Sequence, residues 1–157
     1  MADTKTTAAT RAARASTKVW TDEERAAMQD SARERKVSSR RDPAEERAAG
    51  EADVQAKIAA MPKVDREMGE RIHALVLDAV PDLVPRTYYG MPAYAKDGKV
   101  ICFYKPASKF KVRYSTFEFQ PDATLDDGEF WPVSFAVAKL TPAVEKRIAE
   151  LVKQATK

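Results

Sequence analysis

Glu118, Asp122, Asp126, Asp127 and Glu129 crowd into one acidic stretch of the chain. Carboxylates are ligands for a hard, oxygen-bound metal ion. A second acidic group, Glu51 and Asp53 with Asp65, Glu67 and Glu70, lies further toward the N-terminus. Neither follows a recognised ligand spacing, and Asp126-Asp127-Gly128-Glu129 is not an EF-hand loop. His73 and Cys102 are the single histidine and single cysteine, so a metal site would have to be built on oxygen, for a hard ion. The opposite sign gathers elsewhere. Lys109, Lys111 and Arg113, with Lys105, follow Tyr88, Tyr89 and Met91. Together they could form a cationic, aromatic-walled pocket for a small anionic ligand or an acidic partner surface. The plain alternatives are a solvated acidic loop and lysines whose stems cover apolar surface.

Catalysis finds little support. There is no nucleophile elbow, no phosphate loop and no histidine paired with a carboxylate at a usable spacing. Ser115, Thr116 and Ser134 lack an identifiable base, so the chain is expected not to be an enzyme. Its 27 basic and 24 acidic residues leave a net charge of +3. That excess is too small, and too interspersed with acids, to mark a nucleic-acid footprint, although Arg11, Arg14 and Lys18 could hold phosphates. No run is apolar enough to span a membrane, and no secretory leader is expected. One cysteine fits a reducing, cytoplasmic setting.

These residues need positioning elements. Residues 1–20 are small, polar and basic and are expected to form a disordered tail. Thr21 and Glu24 make a capping box for a helix whose apolar side is mostly alanine plus Met28. Residues 21–49 therefore predict a solvated helical arm that docks weakly. Asp42 and Pro43 start another helix, which Gly50 weakens and could divide and which Pro62 ends. The strongest helical periodicity runs over 64–80, with Val64, Met68, Ile72, Leu75, Val76 and Ala79 on one face and His73 at its boundary. After residue 85 the period changes to that of strands. Asp97-Gly98 predicts a type I′ hairpin turn between "PAYA" and "KVICFYK". "FKVRYSTFEF" predicts a third strand, with Phe110, Val112 and Tyr114 alternating against Lys111 and Arg113, and a parity slip near Thr116. "FWPVSFAVAKL" adds a strand, and Thr141-Pro142 caps a closing helix with Val144, Ile148, Leu151 and Val152 inward. The order predicts an α+β two-layer sandwich over residues 50–157, an antiparallel meander sheet packed against helices.

"YYGMPAY", the Asp-Gly hairpin, the aromatic strand, "SKFKVRY" and the Pro-capped last helix resemble the YdhG-like family, long listed as a domain of unknown function. The resemblance covers about Asp53 to Lys153. It implies a fold comparable to frataxin and, for some members, an intracellular iron chaperone that passes iron to an acceptor protein. Tyr89, Gly90, Met91 and Pro92, and more weakly Lys109, match residue by residue. Phe110 stands where many members carry a histidine. The resemblance thus implies a non-enzymatic, weakly iron-binding protein, with Glu118, Asp122, Asp126, Asp127 and Glu129 as its metal candidates. The alternative is a small-ligand or protein-interaction module built on Tyr88, Tyr89, Met91, Lys109, Lys111 and Arg113.

Overall fold

A computed structural model describes residues 19–38 and 42–157. Most of the tail expected over residues 1–20 lies outside the described residues; Val19 and Trp20 are exposed. The elements follow the order α1 (Asp22–Ser38), α2 (Pro43–Ala59), α3 (Lys63–Ala79), β1 (Val84–Tyr88), β2 (Met91–Lys96), β3 (Lys99–Lys105), a one-turn α4 (Ala107–Phe110), β4 (Ser115–Phe119), β5 (Ser134–Val137) and α5 (Pro142–Ala155). The strands form one antiparallel sheet in the order β1-β2-β3-β4-β5, a meander. The chain is an α+β protein. No described helix is long and apolar enough to cross a membrane.

Helix starts obey their capping chemistry. Thr21 and Glu24 satisfy each other's amides at 3.1 and 2.8 Å, Asp42 accepts from the Glu45 amide, and Thr141 accepts from that of Val144. Both Asp97 and Gly98 have positive φ, as a type I′ hairpin requires. One face of the sheet carries Tyr94, Cys102, Tyr104, Phe117 and Phe119 against Met68, Ile72 and Val76 of α3 and Ile148, Leu151 and Val152 of α5. Between β2 and β3, Tyr94 pairs with Cys102 but Ala95 with Val100, leaving Ile101 as the extra residue of a bulge. That bulge lets Ile101 and Cys102 both turn inward. Cys102 is buried, and desolvation pushes its thiol far above the usual range.

Several expectations are corrected by tertiary contacts. "SKFKVRY" is not a strand: Ala107–Phe110 is a helical turn, Lys111 is left-handed at φ 52°, and β4 begins at Ser115. Asp65, on α3, causes this by accepting from both the amide and the hydroxyl of Ser108. Ser115 Oγ holds the Ala107 amide from the other side. The parity slip at Thr116 is therefore a strand start. Val64 is exposed instead of facing the core.

Gly50 does not divide α2, which is continuous. A Cβ there would fall on the Pro85 carbonyl oxygen, so glycine is what lets α2 lie against β1. His73 is buried, not at a boundary. Its Nδ1 lies 3.0 Å from the Tyr94 hydroxyl and its Nε2 2.7 Å from Glu51.

Two stability predictions follow from these contacts. Helix propensity alone makes Gly50→Ala stabilising by up to about 1 kcal/mol. The Pro85 carbonyl reverses the sign, and we expect a loss of about 2–3 kcal/mol, read from the urea midpoint at unchanged slope. Any gain in stability would show that the helix–strand approach is looser than described. Tyr94→Phe leaves a buried imidazole nitrogen without its partner, and we expect it to cost about 1–3 kcal/mol in the same measurement.

Candidate functional site

The second face of the sheet carries Met91, Ala93 and Phe103, with Tyr88, Tyr89, Val100 and Phe110 packed around them. α1 lies over it, and Ala27 and Met28 share a small apolar cleft with Tyr89, Met91, Phe103 and Phe110. Tyr88 meets Tyr89 edge-on at 4.7 Å between ring centres and Phe103 at 5.3 Å. Burial raises the Tyr88 phenol above its ordinary value, with the neighbouring Tyr89 and Glu34 adding to the effect.

The turn between β1 and β2 is Tyr89-Gly90, flanked by the Tyr88–Met91 pair. Both turn residues have positive φ, 50° and 74°, so this is a second hairpin turn of the same kind as Asp97-Gly98. Tyrosine is a poor choice for the left-handed region. Two adjacent amides in such a conformation make a concave, anion-accepting nest. Here Glu34 fills it: the Tyr89 amide donates to Oε2 at 2.9 Å and the Gly90 amide to Oε1 at 2.8 Å.

Glu34 is one of three acids on the same side of α1. Glu23, Asp30 and Glu34 stand at i, i+7 and i+11, which at 3.6 residues per turn keeps them within about 40° of one another. Glu23 pairs with Lys111 at 2.6 Å. Asp30 lies 3.5 Å from both Lys109 and Lys57. The Lys111 ammonium holds the Glu23 carboxyl below its usual range, and Lys111 is itself raised, first by that hydrogen bond. The Glu23–Lys111 pair is open to solvent on its lysine side, and such pairs are screened and contribute little, whereas Asp30 and Lys109 are largely covered. The nest is different: hydrogen bonds to a charged group are worth about 1.5–3 kcal/mol. Ala27 is the buried apolar residue of α1, and one buried methyl is worth about 0.8 kcal/mol. Glu34 is therefore a principal tether of α1. A helix expected as a solvated arm is held by its acids, which a search for an apolar stripe passes over.

The proposed ligand-binding residues thus divide. Tyr88, Tyr89, Met91 and Lys109 come together beneath α1, and the Lys109 ammonium is close enough that a Cβ on Gly90 would meet it at 2.8 Å. Lys111 sits at the N-terminal end of α1, bound to Glu23. Arg113 stands apart, its guanidinium 5.1 Å from the Tyr114 ring. Lys109, Lys111 and Arg113 do not share a strand face, because the segment is a helical turn followed by a bend. Lys105 lies over the Phe110 ring at 4.8 Å.

The metal candidates are dispersed. Glu118 accepts from Thr116 and Ser134, Asp122 pairs with Lys99, and Asp126 and Asp127 border a groove against α5. Glu129 is exposed. Among the described residues no three His, Cys, Asp or Glu side chains converge on one ion. The second acidic group is dispersed as well: Asp65 caps α4 and Glu51 holds His73. The chain matches no family model, no curated protein and no solved structure with which it was compared.

The Glu51–His73–Tyr94 chain has the outline of a relay, but both ring nitrogens are already engaged. With Glu51 as carboxylate, Nε2–H donates to it and Nδ1 accepts from Tyr94, whose hydroxyl burial holds well above the ordinary phenol range. Burial alone would raise the Glu51 carboxyl. The Gln55 amide, His73 and Arg47 outweigh it and hold the group below its usual value.

Two measurements test these contacts. Glu34→Gln is expected to speed hydrogen exchange at the Tyr89 and Gly90 amides and through α1 by at least about tenfold, with the midpoint of global unfolding almost unmoved. Unaltered exchange at those two amides would remove Glu34 as a principal tether. Because Glu51 is depressed in the folded chain, its contribution is complete above the unfolded value and is lost as pH falls through the folded one. Glu51→Gln should therefore flatten the acid limb of the stability–pH curve between those two values. A limb of undiminished slope would assign the dependence to other carboxylates.

Proposed function

We propose that this chain is a binding module that recognises a carboxylate-bearing helical segment of a partner protein on the sheet face around the Tyr89-Gly90 turn. The observation that carries this reading is the two-pronged grip of the turn amides on the Glu34 carboxylate. α1 displays the binding mode within the molecule: acid to the nest, further acids to Lys109 and Lys111, and Ala27 and Met28 over the aromatic floor. A helix in a shallow groove, anchored at regular spacing, is a common mode of peptide recognition. The reading is of a binder and not a catalyst. His73 has both nitrogens committed, and the Ser115 hydroxyl is tied to the Ala107 amide and the Tyr104 hydroxyl.

Iron binding and delivery to an acceptor protein, with its frataxin comparison, rests on the family resemblance. Asp126 and Asp127 border one groove while Glu118 and Asp122 are engaged elsewhere, and among the described residues no three of these side chains group around an ion, so the geometry favours the module.

A labelled peptide with the sequence of residues 19–38 tests the proposal. Tethered α1 competes at high effective concentration. The peptide is therefore expected to bind a full-length Glu34→Ala chain at least about tenfold more tightly than the unaltered chain. A peptide carrying Glu34→Gln should lose that affinity. Failure of the peptide to bind either chain would end the reading. Anaerobic titration with ferrous ion is expected to give no saturable heat. Heat that vanishes on changing Asp122, Asp126 and Asp127 to Asn would restore iron in its place.

A further inference from the structure

The sheet has two edges, and they are treated differently. β1 is covered by α2, which approaches it as closely as Gly50 permits. Among the described residues, β5, at the other end, has β4 as its one ladder neighbour. It is four residues long, Ser-Phe-Ala-Val, with none of the charged side chains that commonly blunt an open edge. The residues leading into it are apolar and outward: Phe130 is 93% exposed and Val133 44%. Between this segment and α5 runs a groove of about 470 Å³, with Leu125, Trp131, Phe135 and Leu151 among its walls.

Asp126, Asp127 and Glu150 stand around the same groove, with Arg147 the one cation lining it among the described residues. Glu129 adjoins Phe130 in sequence. Among the described residues none of these four carboxylates has an ion-pair or hydrogen-bond partner. In a chain of net charge +3, this is a local reversal of sign beside apolar surface.

We propose that the β5 edge and this groove form a docking site for an extended basic segment of a partner protein. The segment's main chain extends the sheet along β5. A lysine or arginine side chain enters the groove, its stem against the Trp131 and Phe135 rings and its charged head among Asp126, Asp127 and Glu150. An alkyl stem with a cationic head matches apolar walls under a carboxylate rim, and the aromatic faces add a cation–π contribution. The rim also steers a cationic partner toward the open edge. A metal ion needs several ligands converging at short range, which these side chains do not provide; a guanidinium or ammonium needs only the field and the ring faces.

The chain has two tryptophans, so full-length protein carrying Trp20→Phe makes Trp131 the sole reporter. The probe is a capped hexapeptide alternating valine and lysine. We expect a saturable change in Trp131 emission, weakening at least about tenfold in an Asp126→Asn, Asp127→Asn variant and weakening further as salt rises toward about 0.3 M. Those aspartates are exposed, so the variant should keep the fold. Glu34→Ala should leave this binding unaltered, which separates the site from the one beneath α1. The proposal is overturned by any of three results: no saturable change, equal binding of the valine–glutamate analogue, or undiminished affinity in the double variant.

Discussion

Two amide groups at the Tyr89-Gly90 turn set much of the arrangement of this molecule. A two-residue hairpin with both residues left-handed leaves its amides side by side and pointing away from the ladder. Glycine accepts that conformation readily; tyrosine does not. A carboxylate in the nest offsets the strain, and Glu34 supplies it from α1, 55 residues away along the chain from Tyr89. Once Glu34 is placed, the direction of α1 across the sheet is settled. Asp30 then comes to Lys57 and Lys109, and Glu23 to Lys111. The helix has little apolar surface to bury, so charge and main-chain hydrogen bonding orient it where a hydrophobic stripe ordinarily would.

The same economy governs the buried polar residues on the other face. Asp65 caps a one-turn helix through Ser108, while its carbonyl accepts from the Tyr104 hydroxyl at 3.2 Å. Tyr104 is wholly buried, and desolvation pushes its phenol up to about 12. Glu51, His73 and Tyr94 join α2, α3 and β2 through a second polar chain. Among the described residues no buried side-chain polar atom is left without a partner. Such groups add specificity as well as energy, because a misregistered strand would leave each of them unsatisfied. Of the acids grouped in the sequence, Asp65 is a helix cap, Glu51 holds His73 and Glu118 ties two hydroxyls.

The two proposed surfaces differ in sign. Beneath α1 the body offers amides and lysines and meets acids. At the β5 edge it offers carboxylates and aromatic rings and meets cations. A chain near electrical balance can present both, provided that the two regions lie at different parts of the sheet, as β1–β2 and β5 do.

Much of the architecture was legible in residue order alone. Capping boxes, Pro at first helical positions, the Asp97-Gly98 turn and the amphipathic faces of α3 and α5 are local signals, and local backbone chemistry suffices to place them. The α+β meander follows from their order. Three things were decided only by tertiary structure. Alternation predicted a strand at "FKVRY", but Asp65 reached across from α3 and captured Ser108 first. Gly50 read as a helix weakness because the Pro85 carbonyl that requires it lies 35 positions later. The surface proposed beneath α1 includes aromatics and lysines that stand out in the sequence. Its deciding element, a glutamate in a nest of two amides, does not, because neither partner carries a signature until the hairpin brings both amides to one point.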